Sequence, residues 1–184
     1  ATVDLLFGLE NPSGKLSETW PNRLEDISCL NPYDSYMMQN FYTDGIYVGY
    51  RHYDKNNIKP RFEFGYGLSY SKFDYANLSV KDLGNKLEVS YEVKNVSDVD
   101  GKEVSQIYMY SPAKVIDRPI KELIGWDKTM VKAGDTAKIS VTIDKEVMCY
   151  FDEKSDKFEF ESGVYKIAVG ASSRDIKLST EIKL

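Results

Sequence analysis

The sequence predicts an all-β protein whose larger part, residues 76–184, is an antiparallel β-sandwich of the immunoglobulin or fibronectin type III kind. Three observations predict it: apolar and polar residues alternate over several short runs, turn residues separate the runs, and no helix of length fits between them. In the clearest run Leu87, Val89, Tyr91 and Val93 fall on one face, with Glu88, Ser90, Glu92 and Lys94 on the other. Ala137, Ile139, Val141 and Ile143 repeat the pattern, as do Tyr165, Ile167 and Val169. Ile176 and Leu178, then Ile182 and Leu184, close the chain, and 106–110 and 123–131 read as less regular strands. The turn signals are Leu83-Gly84-Asn85, Asp100-Gly101, Ala133-Gly134-Asp135 and Ser162-Gly163. Only 144–150 reads as a helical turn, so about seven strands are expected.

The first 75 residues differ. Ala1 to Gly8 reads as the last turns of a helix ending on a glycine, which takes the left-handed conformation without a Cβ clash. Such an opening is expected of a chain cut from something longer. Asn11-Pro12-Ser13-Gly14 is turn chemistry, 15–20 a short strand candidate stopped by Pro21-Asn22, and Asn31-Pro32-Tyr33-Asp34 another turn. Between 31 and 75 come Tyr36, Phe41, Tyr42, Tyr47, Tyr50, Tyr53, Phe62, Phe64, Tyr66, Tyr70, Phe73 and Tyr75, with neither period. That segment reads as an irregular aromatic connector lying flat on another domain, where rings with few rotors offset the entropy of ordering it. A binding groove is the alternative.

Composition excludes several classes. The 24 basic and 29 acidic side chains leave a net charge of -5 spread along the chain, with no basic patch of the sort nucleic acid requires. No run of about 18 apolar residues offers a membrane span. Cys29 and Cys149 are far apart and read as free thiols, a single disulfide staying open for a secreted protein. One histidine, His52, and two distant cysteines do not make a zinc site or a supported Ser-His-Asp arrangement. Asp98-Val99-Asp100-Gly101 lacks the later calcium ligands and reads as a turn. Gly65-Tyr66-Gly67 lacks the third glycine of a dinucleotide fingerprint. No cofactor is expected.

Several strings, in order, resemble glycoside hydrolase family 3. Leu6-Phe7-Gly8 with Asn11-Pro12-Ser13-Gly14-Lys15-Leu16 is similar to the helix-to-strand turn near the end of the family's α/β sandwich domain. Asp44-Gly45-Ile46-Tyr47-Val48-Gly49-Tyr50-Arg51-His52-Tyr53-Asp54 is similar to its connector, and Phe62-Glu63-Phe64-Gly65-Tyr66-Gly67-Leu68-Ser69-Tyr70 to the start of its tail domain. Gly101-Lys102-Glu103-Val104, Arg118-Pro119-Ile120-Lys121-Glu122-Leu123 and Ser172-Ser173-Arg174-Asp175-Ile176 resemble strings inside its fibronectin type III-like domain. His52 stands where the family usually has Tyr, and Glu63 where it usually has Pro. The resemblance implies three parts: 1–30, the end of the α/β sandwich domain; 31–75, the connector; and 76–184, the fibronectin type III-like β-sandwich.

The resemblance further implies a β-glucosidase-type parent, with an aspartate nucleophile on a (β/α)8 barrel and a glutamate acid/base on the α/β sandwich. Both lie upstream of the matched strings, so no residue here inherits a catalytic role. The residues agree: retaining hydrolysis needs two carboxyl groups about 5 Å apart, and the acidic residues here sit on polar faces or in turns, as Glu25-Asp26, Glu88, Glu92, Asp98, Asp100, Asp152, Glu153 and Asp156 do. The expected catalytic, cofactor-binding and metal residues are therefore none. Expected partners are the parent's barrel and α/β sandwich domains and, for the parent, its carbohydrate substrate. Arg118, Lys121 and Glu122 read either as a loop docking on neighbouring domains through Arg–carboxylate forks or as solvated. Trp20 and Trp126 read as core or domain-contact residues, and Asn77-Leu78-Ser79 and Asn95-Val96-Ser97 fit the glycosylation sequon. Three roles compete: bracing of the parent's catalytic domains, a carbohydrate-binding module using Tyr47, Tyr50, Tyr53, Tyr108 and Tyr110, and a free adhesion module.

Overall fold

The structure is a computed structural model that describes residues 2–29 and 43–184, and between them only the backbone pairing of β1 (Tyr33–Asp34) with β2 (Gln39–Asn40). The expected turn at Asn31-Pro32 and the rings of Tyr36, Phe41 and Tyr42 lie outside the described residues. Short helix α1 spans Thr2–Leu6 and α2 spans Tyr50–Lys55. The sandwich strands are β3 (Phe73–Asp82), β4 (Lys86–Asn95), β5 (Gly101–Tyr110), β6 (Glu122–Val131) and β7 (Thr136–Asp144). A hairpin of β8 (Tyr150–Asp152) and β9 (Lys157–Glu159) follows, then β10 (Val164–Gly170) and β11 (Ile176–Lys183).

Seven strands form two antiparallel sheets, ordered β3-β4-β7 and β11-β10-β5-β6. The alternation dictates which faces meet. Leu87, Val89, Tyr91 and Val93 of β4 are buried against Ile107, Met109, Tyr165, Ile167 and Val169 of the other sheet. Inward polar atoms find partners: the Tyr91 and Ser105 hydroxyls share a 2.6 Å hydrogen bond, and burial pushes the Tyr91 phenol up to about 12. Residues 145–148 form the one expected helical turn.

Three expectations change. Strands β5 and β6 begin earlier and are more regular than 106–110 and 123–131, with one register shift at Ile107/Tyr108. Segment 15–20 is not a strand of a sheet: Leu16 pairs with residues 65 and 66, and Trp20 bridges Phe62. The described part of the connector lies on this chain's own sandwich, where Tyr50 and Gly65 meet Tyr108 and Gln106 of β5. Gly8 does end α1, at φ +71°.

Asn95 replaces a turn's backbone partners with its side chain. Buried, its Nδ2 donates to Val99 O (2.7 Å) and Val131 O (3.0 Å), while its Oδ1 accepts from Ser97 N (3.1 Å). In the folded chain this sequon is therefore structural, whereas Asn77 is exposed. Asn95→Ala takes the amide donor from Val131 O at about 1–3 kcal/mol, while Val99 O keeps the Ser71 hydroxyl at 2.7 Å. A thermal melt should fall by roughly 4–8 °C. A fall under about 2 °C would mean water replaces the amide without cost.

Candidate functional site

The connector crosses the outer face of the four-stranded sheet. Tyr108 of β5 points outward yet is 0% exposed. The Tyr50 ring meets it edge-on at 6.1 Å and itself packs on Phe64 at 5.1 Å. The Tyr108 hydroxyl donates to Gln106 Oε1 (2.6 Å), and Gln106 Nε2 donates to Gly65 O (3.1 Å) and Ala171 O (2.9 Å). Gly65 sits at φ +80°, and a Cβ there would fall 2.1 Å from Gln106 Oε1. The connector's backbone can approach the sheet this closely only without a side chain.

Charged groups hold α2 beside the loop before β6. Lys121 Nζ lies 2.5 Å from Asp54 Oδ2, Arg51 3.5 Å from Glu122, and Lys55 3.4 Å from Asp117. Arg118 forks onto Glu122 at 3.2 and 2.7 Å and donates to Met148 O at 2.8 Å. The Tyr50 hydroxyl accepts from Leu123 N at 3.0 Å. From the other end of the sheet, Arg174 donates to Asp54 Oδ1, Tyr53 O and Ile58 O. The docking on neighbouring domains expected of 118–122 is not what these bonds make: Arg118 binds Glu122 within the loop, and the element the loop holds is this chain's own connector.

Residues 11–15 attach separately. Asn11 Nδ2 donates to Ser71 Oγ (2.7 Å) and Asp100 O (2.9 Å), and its Oδ1 accepts from Tyr70 N (2.9 Å). Glu103, buried on the core-facing register of β5, accepts from the Tyr75 hydroxyl at 2.8 Å and from Lys15 Nζ at 3.4 Å. Beyond this attachment opens an apolar cleft of about 710 Å³, lined among others by Leu5, Pro12, Leu16, Trp20, Phe62, Tyr66 and Leu68. Leu6, Phe7, Leu9 and Leu68 are all exposed by more than two thirds, Leu68 by 68%. Exposed apolar surface this concentrated is a common property of interaction faces.

The rings proposed as a sugar platform do not form one. Tyr53 and Tyr108 are buried, Tyr50 is stacked beneath Phe64, Lys55 Nζ covers the Tyr47 ring at 3.4 Å, and Lys166 Nζ covers Tyr110 at 4.6 Å. Trp126, 62% exposed, and Trp20, 46% exposed, are not core residues, which leaves the domain-contact reading of both. Cys29 and Cys149 are free, and the Cys29 thiol, donating to Asp44 at 3.0 Å, is pushed up by that bond. His52 sits on α2 with Nδ1 3.2 Å from Asn56 Nδ2. Asp26 caps the turn at 24–26 by accepting from Arg23 N, and Asp100 accepts from Ala133 N. Among the described residues no group of three or more His, Cys, Asp or Glu is placed to hold a metal ion.

Comparison with known proteins matches both halves of this arrangement. Residues 1–70 match the glycosyl hydrolase family 3 C-terminal domain, and residues 103–173 match a fibronectin type III-like domain. The thermostable β-glucosidase B of Acetivibrio thermocellus is 40% identical over the whole chain. The chain belongs to glycoside hydrolase family 3. Among solved structures, β-glucosidase 3B from Thermotoga neapolitana superposes with a TM-score of 0.93 at 38% identity over 99% of this chain and 26% of its own. The β-glucosidase of Kluyveromyces marxianus does so with 0.94 at 35% over 100% of this chain and 22% of its own. The chain covers 25% of the Acetivibrio thermocellus enzyme, so it spans about a quarter of the length of these family 3 relatives and corresponds to their C-terminal, accessory part.

Proposed function

We propose that this chain braces the catalytic domains of a larger family 3 enzyme that hydrolyses terminal β-glycosidic bonds, a barrel and an α/β sandwich being its partners and a carbohydrate the parent's substrate. In this reading residues 1–30 are the end of the α/β sandwich domain, 31–75 the connector and 76–184 the fibronectin type III-like sandwich, and the chain itself contributes no catalytic carboxylate. The apolar cleft carries the reading. It lies along the segment that matches the family's C-terminal domain. Its lining would cost little to cover and is costly to leave wet, at about 25 cal/mol per Å² of apolar surface.

Leu68→Asp, introduced into this chain and into the full-length parent, tests it. Leu68 is 68% exposed here, so the chain's melting temperature should stay within about 1 °C. In the parent a buried aspartate should cost about 2 kcal/mol or more. Equal melting temperatures for both parent proteins would show that nothing covers the cleft. The purified chain should also leave an aryl β-glucoside intact, and turnover that copurifies with it would overturn the non-catalytic assignment.

A further inference from the structure

We infer that α2 and the loop at 117–122 form a charge-keyed latch, in which Asp54 is the positioning residue that fixes where the connector sits on the sandwich. The inference deepens the bracing role, on which only its consequence for the parent rests.

Exposed ion pairs contribute little, so burial and order decide whether this one matters. The side chains of Asp54 and Lys121 are 9% and 8% exposed, and they meet at 2.5 Å. Removing Asp54 leaves Lys121 as an uncompensated charge in a site that water barely reaches. Arg174 binds the second oxygen of Asp54 from the loop between β10 and β11, at 3.3 Å. One carboxylate thus ties α2 to loops at both ends of the four-stranded sheet.

The order of charges supplies the key. Along α2 they run Arg51, Asp54, Lys55, and they face Glu122, Lys121 and Asp117 respectively. Sliding α2 by about one turn would set Arg51 against Lys121 in one direction and Asp54 against Glu122 in the other. Like charges would then meet in a partly buried setting, which disfavours every neighbouring register. The ring contacts of Tyr50 supply adhesion but tolerate small slides, so the ion pairs carry the register together with the hydrogen bond from Leu123 N to the Tyr50 hydroxyl.

Hydrogen exchange on this chain with Asp54→Asn, Lys121→Met and the double variant tests the latch. Each single change should raise exchange at 50–66 at least tenfold while 87–93 and 105–109 keep their protection. The double variant should be no worse than the worse single, because the two act as a unit. Unchanged exchange at 50–66, or equal loss through β4 and β5, would overturn the latch. Should Asp54→Asn fail to fold, Arg174→Met takes its place, since that side chain is 29% exposed. It should loosen 53–58 selectively, and no loosening would refute the proposal. In the full-length parent Asp54→Asn should lower thermal stability. A latch that opens in the chain without that effect would leave the latch standing and remove the bracing role.

Discussion

A fragment of residues 76–184 is expected to melt on the order of 15 °C below the whole chain, although it lacks only Phe73, Asp74 and Tyr75 of the sandwich strands. Two losses cause this. Without the connector, Tyr108, Gln106 and Ala168, all buried in the whole chain, face water on the outer side of β5 and β10. Uncovering a buried aromatic ring costs about 1.5–3 kcal/mol. Without residues 1–75, Glu103 loses both the Tyr75 hydroxyl 2.8 Å away and Lys15, the cation 3.4 Å away. A carboxylate left on the core-facing register must draw in water or give up charge, at a cost of about 2 kcal/mol or more. Together these remove about 4 kcal/mol, and each 1 kcal/mol shifts a domain of this size by roughly 4 °C. Melting of 1–184, 43–184 and 76–184 checks the argument. The middle fragment should recover the ring burial but not the lysine. A 76–184 fragment within about 3 °C of the whole chain would establish the sandwich as autonomous.

The same two losses explain what was legible in the sequence. Strand β4 could be read outright because its outer face meets solvent, so Leu87, Val89, Tyr91 and Val93 alternate with polar residues. Strand β5 could not: Gln106, Ile107, Tyr108 and Met109 are all buried, one face under β4 and the other under the connector. A strand covered on both sides loses the period-2 signal. Its earlier half holds the clue that was missed. Glu103 shares the inward register of Ser105, Ile107 and Met109, and a carboxylate in that register implies a partner from outside the strand.

The connector shows the opposite limit. Its aromatics announced a docking segment, but nothing local says which surface they meet, because Tyr50 touches a ring 58 positions away by number, at Tyr108. Arg118, Lys121 and Glu122 were visible as a polar cluster, and their partners Arg51 and Asp54 were not, for the same reason. The apolar cleft was equally hidden, since Leu16 and Phe62 are brought together by the pairing of 16–20 with 62–66, and Leu5 joins them through the Tyr70 hydroxyl on its carbonyl. Contacts of high sequence separation leave no periodic trace.

Gly65→Ala should be among the most damaging single changes outside the core, at about 3 kcal/mol. Two independent terms add. At φ +80° an alanine carries a left-handed penalty of about 1–2 kcal/mol. Its Cβ would also lie 2.1 Å from Gln106 Oε1 and 2.6 Å from Cδ. A flexible side chain could ordinarily swing aside, but Gln106 is 4% exposed and bound to Gly65 O, Ala171 O and the Tyr108 hydroxyl. Moving it breaks those bonds, and overpacking of this kind costs about 1–3 kcal/mol. The double variant separates the terms. Gln106→Ala removes the obstacle, so Gly65→Ala on that background should cost only its backbone strain, roughly half its effect on the native background. The expected coupling of about 1.5 kcal/mol is readable by denaturant melts of the four proteins. Strict additivity would mean the connector lifts off the sheet to admit the methyl group, and the close approach at Gly65 would then be incidental to how the two halves of the chain are held together.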